Sequence, residues 1–115
     1  MHICRYNFYG RSATKSLQTH LSSLQIVRAK MKAKAAKDTN LLKYEQELLK
    51  MTNELSAFIN KCSDLTAEVD FVGKEKGEED VKATLTRLEA HVNTAEHHKI
   101  GAQAAKQRFQ GLVSA

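Results

Sequence analysis

An unbroken heptad repeat of apolar residues is the feature that most restricts how this chain can fold. Its members alternate three and four residues apart for nine steps, the spacing that keeps one side of an α-helix apolar. The positions are Leu41, Tyr44, Leu48, Met51, Leu55, Phe58, Cys62, Leu65, Val69 and Val72. The tripeptide Asp-Thr-Asn before the repeat supplies residue types that cap helix N-termini, and Gly73 is a typical C-terminal stop. We therefore predict a helix over residues 40–72.

A second repeat follows the connector GKEKGEED at residues 73–80. Its first members are Val81, Leu85, Leu88 and Val92. The acidic residues that open it favour a helix start, because the N-terminal end of the helix dipole attracts anions. The repeat lapses over EHHKIG, residues 96–101, and then resumes. This pattern predicts one helix over residues 78–112 that bends at the lapse, where Gly101 weakens it.

The first third of the chain carries a helical stripe in a different register. Its apolar positions are Leu17, Leu21, Leu24, Val27, Met31 and Ala35. The change of register predicts a turn between a helix over residues 13–37 and the helix over residues 40–72; one bent helix through both is the alternative. Residues 1–12 have no clean period but include three of the seven aromatic residues. They are expected to form a separate basic and aromatic arm.

The composition agrees with long helices. The chain has no proline, where average usage of about 5% would supply several, and proline is the residue that interrupts helices. A short connector makes consecutive helices antiparallel neighbours. We predict an all-α fold: a long antiparallel helical hairpin or coiled coil, completed by the first helix into an up-down-up three-helix bundle. Residues 13–115 would form this one domain.

Charge is distributed unevenly along the chain. Residues 1–37 contain eight basic and no acidic residues, whereas residues 38–115 contain ten basic and thirteen acidic ones. Such asymmetry predicts an acidic partner for the N-terminal third. That partner is either another molecule or the acidic remainder of the chain itself.

The basic run VRAKMKAKAAKD, residues 27–38, is the strongest candidate for a binding surface. On a helix, Lys30, Lys34 and Lys37 would share one edge of the apolar stripe, and Arg28 and Lys32 the other. Such a run is either a solvated helix face or a surface for protein or lipid. The predicted partner-binding residues are Arg5, Tyr6, Phe8, Tyr9 and Arg11 of the arm, together with Arg28, Lys30, Lys32, Lys34 and Lys37.

No residue pattern indicates chemistry. His91, His97 and His98 do not form the HExxH zinc motif, and they are better read as exposed residues or as a polar, pH-sensitive break in the repeat. Cys62 occupies a repeat position and is expected to be a small buried hydrophobe. The sequence also lacks the glycine-rich phosphate loops and the GxSxG nucleophile motif. We predict no catalytic residue, no cofactor, no metal and no small-molecule substrate.

Cellular location can be predicted only coarsely. Two cysteines are too few for a disulfide framework, which favours a reduced, intracellular setting. No run of eighteen apolar residues occurs, and MHICRYNFYG lacks the apolar centre of a secretory signal. A cytoplasmic protein is expected, with an uncleaved mitochondrial presequence as the alternative.

These patterns favour a non-catalytic, coiled-coil structural or adaptor subunit of a larger intracellular assembly, bound to other subunits through helical or acidic surfaces. The alternative is an accessory subunit of a membrane-associated complex, or a peripheral binder of anionic membranes through the basic first helix. A self-contained regulatory bundle that binds one target peptide is a third hypothesis. We do not expect nucleic-acid binding, because no groove-reading motif accompanies the charge and the acidic remainder would repel phosphates.

Overall fold

The computed structural model describes the backbone of residues 2–75 and 77–114, and the side chains of residues 11–75 and 77–114. These residues form α1 (His2–Ala35), a 3-10 helix (Thr39–Leu41), α2 (Leu42–Glu75), α3 (Glu78–Asn93) and α4 (Ala95–Ser114). No strand occurs among them, and the predicted all-α helical bundle is confirmed. The third arm of the bundle consists of α3 and α4, and the molecule measures 59 × 18 × 16 Å.

The predicted turn between the first two helices is present. α1 ends at Ala35, and the chain turns before the 3-10 helix that leads into α2. The Asp38 carboxylate accepts a hydrogen bond from the Asn40 N–H at 3.1 Å, which caps the new helix at its start. The two helices are therefore separate and antiparallel, and the alternative of one bent helix does not apply.

The helix boundaries differ from the predicted ones in three places. α1 begins at His2 rather than near residue 13, so the segment predicted as an arm continues the helix. The side chains of Arg5, Tyr6, Phe8 and Tyr9 lie outside the described residues. α2 passes through Gly73 and ends at Glu75, since one glycine costs a helix only about 1 kcal/mol.

The third difference is a break within the predicted helix over residues 78–112. It lies at Thr94, two residues before the expected lapse, whereas Gly101 is an ordinary member of α4. The Thr94 hydroxyl donates to the His91 carbonyl at 2.8 Å, and the Thr94 N–H donates to the same carbonyl at 3.1 Å. The N–H bond reaches three residues back instead of the four of an α-helix, so α3 ends there, and the hydroxyl adds a second bond to the same carbonyl.

All the heptad positions of α2 and α3 face the interior. Seven are buried: Leu48, Leu55, Cys62, Leu65, Val69, Val72 and Leu88. The others are partly buried: Leu41, Tyr44, Met51, Phe58, Val81, Leu85 and Val92. The buried face of α2 is wider than the repeat, because it also includes Glu45, Thr52, Ile59 and Thr66. A helix packed between two neighbours needs this wider face.

The core lies mainly among α1, α2 and α4. α4 contributes three buried alanines and Phe109, whose ring is fully buried and meets Tyr44 edge to face at 6.2 Å between centroids. The other buried members of this core are Leu17, Leu24, Val27, Met31, Leu48, Leu55 and Ile59. A smaller cluster of Leu65, Val69 and Leu88 joins α2 to α3. This packing fixes which faces of α1 and α4 remain exposed.

Candidate partner-binding surface

The apolar stripe of α1 determines on which sides of the helix the basic residues of the run lie. Val27, Met31 and Ala35 are 1%, 0% and 3% exposed, so this side of the helix points into the core. Residues on the two edges of the stripe therefore lie beside different helices. The edge that holds Arg28 lies against α2, and the edge that holds Lys34 lies against α4.

Arg28 is bound within the chain. Its Nη2 lies 3.0 Å from Oε1 of Glu45 on α2, and its Nε donates to the same oxygen at 3.1 Å. The Glu45 side chain is only 7% exposed, and its second oxygen accepts from the Gln46 amide at 3.2 Å. Both oxygens of the Glu45 carboxylate therefore have partners within the chain. The ion pair uses the Arg28 side chain to hold α1 against α2.

Every arginine whose side chain is described forms an ion pair with a carboxylate of α2. The pairs are Arg11 with Asp70, Arg28 with Glu45, Arg87 with Glu68, and Arg108 with Glu47. The arginines come from α1, α3 and α4. α2 is thus the acidic helix with which α1, α3 and α4 each form ion pairs. The partners of these arginines lie in the acidic remainder of the chain.

Lys34 also has a role inside the bundle. Its Nζ donates to the carbonyl oxygens of Leu112 at 3.2 Å and Val113 at 3.0 Å. Both carbonyls belong to the last turn of α4, where intrahelical donors run out and the helix dipole is negative. A lysine at this point satisfies two acceptors and fastens the end of α4 to α1.

The remaining lysines of the run are exposed. Lys30, Lys32 and Lys37 make no ion pair with any side chain that the structure describes. Lys30 lies one turn before Lys34, on the edge of α1 that meets α4. Lys37 follows the end of α1, in the turn where the Asp38 N–H donates to the Lys34 carbonyl at 3.0 Å. Lys32 lies on the other edge.

Two lysines of α4 extend this edge, and the sequence analysis did not identify them. α1 and α4 run in parallel, since Lys34 contacts Leu112 and Leu17 lines the same groove as Ala95, each pair being 78 apart in number. Lys99 lines that groove too. Lys106 lies two turns further along the same side of α4 and is exposed. We refer to Lys30, Lys37, Lys99 and Lys106 as the α1–α4 lysine face.

The charge of the whole molecule follows the same division. α1 and α4 together contain ten basic residues and one acidic residue, Glu96, whereas α2 and α3 contain six basic and eleven acidic ones. The basic region is therefore a side of the folded molecule and not only the N-terminal third of the chain. A signal for it was present in the sequence, because residues 95–114 hold a single carboxylate.

The histidines form a packed cluster at the break between α3 and α4. The rings of His91 and His98 lie 3.9 and 4.0 Å from the Phe58 ring of α2, centroid to centroid. His91 Nε2 lies 3.0 Å from the Phe58 carbonyl oxygen, and because a carbonyl can only accept, this nitrogen carries the proton. His98 is exposed but His91 is half-buried, so His91 departs from the expectation of plain exposed histidines. The cluster holds both ends of the break against α2.

Three further findings concern the cysteine, metal ligands and membrane spans in the described part of the chain. Cys62 is fully buried among apolar residues. No group of three or more histidine, cysteine or carboxylate side chains within residues 11–75 and 77–114 is arranged to hold a metal ion. None of the helices described here has the length and apolar character needed to cross a membrane.

Comparison with protein-family models, curated proteins and solved structures yields no match for this chain. Its function has therefore to be inferred from its own residues and their geometry.

Proposed function

We propose that this protein is a non-catalytic helical structural or adaptor subunit that acts by binding another protein through the α1–α4 lysine face. One observation carries the proposal: α1 and α4 lie side by side with ten basic residues and one acidic residue between them, and the four lysines of this face have no carboxylate partner among the described side chains. The heptad positions are occupied within the chain. The repeat is therefore largely used within the chain, and the α1–α4 lysine face is a cationic surface left for a partner.

Binding to an anionic membrane is the second candidate, favoured by the same lysines. Lysines near an anionic bilayer contribute about 1 kcal/mol each. A helix that lies in the interface also needs an apolar face, and the stripe of α1 is buried in the core. Within residues 11–35 of α1, Ile26 is the large apolar side chain that is exposed, at 57%, and it lies four residues before Lys30. A protein partner needs no such apolar face, and we therefore favour it.

A reduced intracellular compartment is part of the proposal, since the two cysteines cannot form a disulfide framework. The partner would be a protein with an acidic surface, and no nucleic acid, cofactor or small-molecule substrate is involved.

Site-specific photo-crosslinking in cells tests the proposal. A photoreactive amino acid replaces Gln103, an exposed residue between Lys99 and Lys106 on α4, and, as the matched control, Asn60, an exposed residue of α2. We expect a discrete protein adduct from position 103 and none from position 60. The adduct should disappear when K30E and K106E are added, because the docking charges are then reversed.

Two results would contradict the proposal. Equal adducts from both positions would mean that the lysine face is not the contact. Adducts to lipid alone from position 103, together with co-sedimentation of the purified chain with anionic vesicles at low salt, would support the membrane candidate instead.

A further inference from the structure

We infer that the partner presents an acidic α-helix, which lies along the groove between α1 and α4. This inference rests on the proposed function and names the form of the partner. Its starting point is the arrangement of the lysines: Lys30 lies on the edge of α1 that meets α4, and Lys37 follows in the turn after α1. Lys99 lines the groove between the two helices together with Glu96, and Lys106 lies two turns further along the same side of α4. Lys34 lies between the two helices, with its Nζ fixed on the α4 carbonyls.

The spacing of the two rows matches a helix. Lys30 and Lys37 are seven residues apart, and so are Lys99 and Lys106. Seven residues are two helical turns, about 10.5 Å along the axis at 1.5 Å per residue. A partner helix with carboxylates at the same interval would meet both rows in one register. In an extended segment the same distance is about three residues at roughly 3.4 Å each, and side chains three residues apart point to opposite faces. Carboxylates on one face of such a segment therefore do not recur at this interval.

The two lysine rows are displaced from each other along the axis of the bundle. With a difference of 78 in residue number, Lys99 is level with residue 21 and Lys106 with residue 28 of α1. The four ammonium groups are thus spread over about 16 residues, or roughly 24 Å of groove. That length corresponds to between four and five turns of a docked helix. Its carboxylates would alternate between the two sides of the groove.

The side-chain types on this face fit a salt-sensitive contact. Lysine is a compact, flexible point charge, whereas arginine is suited to fixed bidentate pairs. The described arginines all serve internal pairs, whereas Lys30, Lys37 and Lys106 are exposed and have no ion pair with a described side chain. Exposed Ile26, four residues before Lys30, provides one apolar contact for an otherwise polar helix. We therefore expect fast, charge-steered association that weakens as salt is added.

A designed peptide of known composition is the probe. It is a fluorescent 21-residue helix with glutamates seven residues apart in two rows, and its control has the same composition with the glutamates distributed around the helix. Binding to the intact chain is measured by fluorescence anisotropy. We expect the patterned peptide to bind about tenfold more tightly than the control at low salt, because only it can meet both lysine rows at once.

Matched charge reversals locate the contact. K30E with K106E should weaken binding of the patterned peptide by about tenfold, since two ion pairs are replaced by repulsion. The control is K43E with K50E, two exposed lysines that are also seven residues apart but lie on α2. This variant carries the same net charge and should change binding by less than about threefold, through long-range electrostatics alone. Circular dichroism of both variants establishes that their helical content is unchanged.

Three results would overturn the inference: equal binding of the two peptides, equal loss in the two charge-reversed variants, or binding of anionic vesicles without binding of the patterned peptide. Failure here is distinguishable from failure of the proposed function. A protein adduct from position 103 without a preference for the patterned peptide would support the proposed docking function and contradict the inference that the partner presents an acidic helix. Absence of the adduct would contradict both the proposed function and the acidic-helix inference.

Discussion

The two edges of α1 carry the same kind of residue and have different uses. On the edge beside α2, Arg28 is held by a buried carboxylate 3.0 Å away. On the edge beside α4 and in the turn that follows it, Lys30 and Lys37 have no ion pair with any described side chain, and the nearest row of α4 contributes Lys99 and Lys106. The difference lies in the neighbours: α2 has seven acidic residues and α4 has one.

This comparison shows that a run of basic residues has no fixed meaning by itself. The folded neighbour decides whether each side chain stabilises the bundle or remains for another molecule. The edge whose charges are paired within the chain, beside α2, should contribute to the free energy of unfolding. The unpaired lysines on the edge beside α4 should not. The following substitutions test that distinction between the two edges, beginning with the apolar stripe that separates them.

M31A should have the largest effect. Met31 is fully buried on the stripe, and truncation of a buried methionine removes apolar contacts and leaves a cavity, which costs about 3 kcal/mol. Urea unfolding followed by circular dichroism measures the loss. The control, I26A, truncates an exposed residue of the same helix and should change the unfolding free energy by less than about 0.5 kcal/mol. A large loss in I26A would show that this face is buried by another chain.

E45Q should have the next largest effect, because it breaks the ion pair on the satisfied edge. Removing one partner of a fully buried pair costs about 3–5 kcal/mol, but the Arg28 side chain is 31% exposed and can recover water. We expect a loss of about 1–2 kcal/mol, between the buried and the exposed limits.

The matched control for E45Q is the same substitution two residues later. Glu47 pairs with Arg108 at 2.9 Å, but both side chains are well exposed. E47Q should cost less than about 0.5 kcal/mol, and the cost should vanish in high salt. Equal losses in E45Q and E47Q would mean that burial of the Arg28 pair adds nothing to the stability.

Sequence periodicity was sufficient to predict the helical fold but not to predict which surface residues remain unpaired. The heptad steps from Leu41 to Val72 predicted α2 because burial of one helix face requires them. The break at Thr94 was missed, since it is marked by a backbone N–H bond to the carbonyl three residues back, and the sequence offered Gly101 as a more obvious weak point. Local spacing cannot report such a bond.

The surface required knowledge of which helices are neighbours. Lys30 and Lys34 were correctly placed on one edge of a helix, but spacing gave no means to show that Lys34 would bind the carbonyls of Leu112 and Val113. Nor could it show that α4 would lie beside that edge and supply two further lysines. Contacts between residues so far apart in sequence follow from the packing of the core.

K34M should show a smaller loss, on the edge beside α4. Methionine keeps the length of the side chain but cannot donate to the two carbonyls, so the last turn of α4 loses its cap. We expect a loss of about 0.5–1 kcal/mol and faster hydrogen exchange in the final turn of α4. K30M, one turn earlier on the same edge, is the control: it should not lower the unfolding free energy and should leave hydrogen exchange in the final turn of α4 unchanged. Identical behaviour of the two variants would mean that the Lys34 contact is absent in solution.

The smallest predicted effect has the opposite sign. If Lys30 and Lys106 are left over from the folding of this chain, they repel the other lysines of the face without a compensating partner. The double variant K30Q with K106Q should then raise the unfolding free energy by about 0.3–0.5 kcal/mol at low salt, and the gain should disappear near 1 M salt, where the Debye length is about 3 Å. K43Q with K50Q is the control, because α2 surrounds those lysines with carboxylates, and it should give no gain. A loss of stability in the first variant would show that the face is satisfied within the bundle, which would remove the ground for a docking partner. A gain confined to the lysine face would mean that the chain retains these charges at a cost to its own stability, as expected of residues that serve an interaction with another molecule.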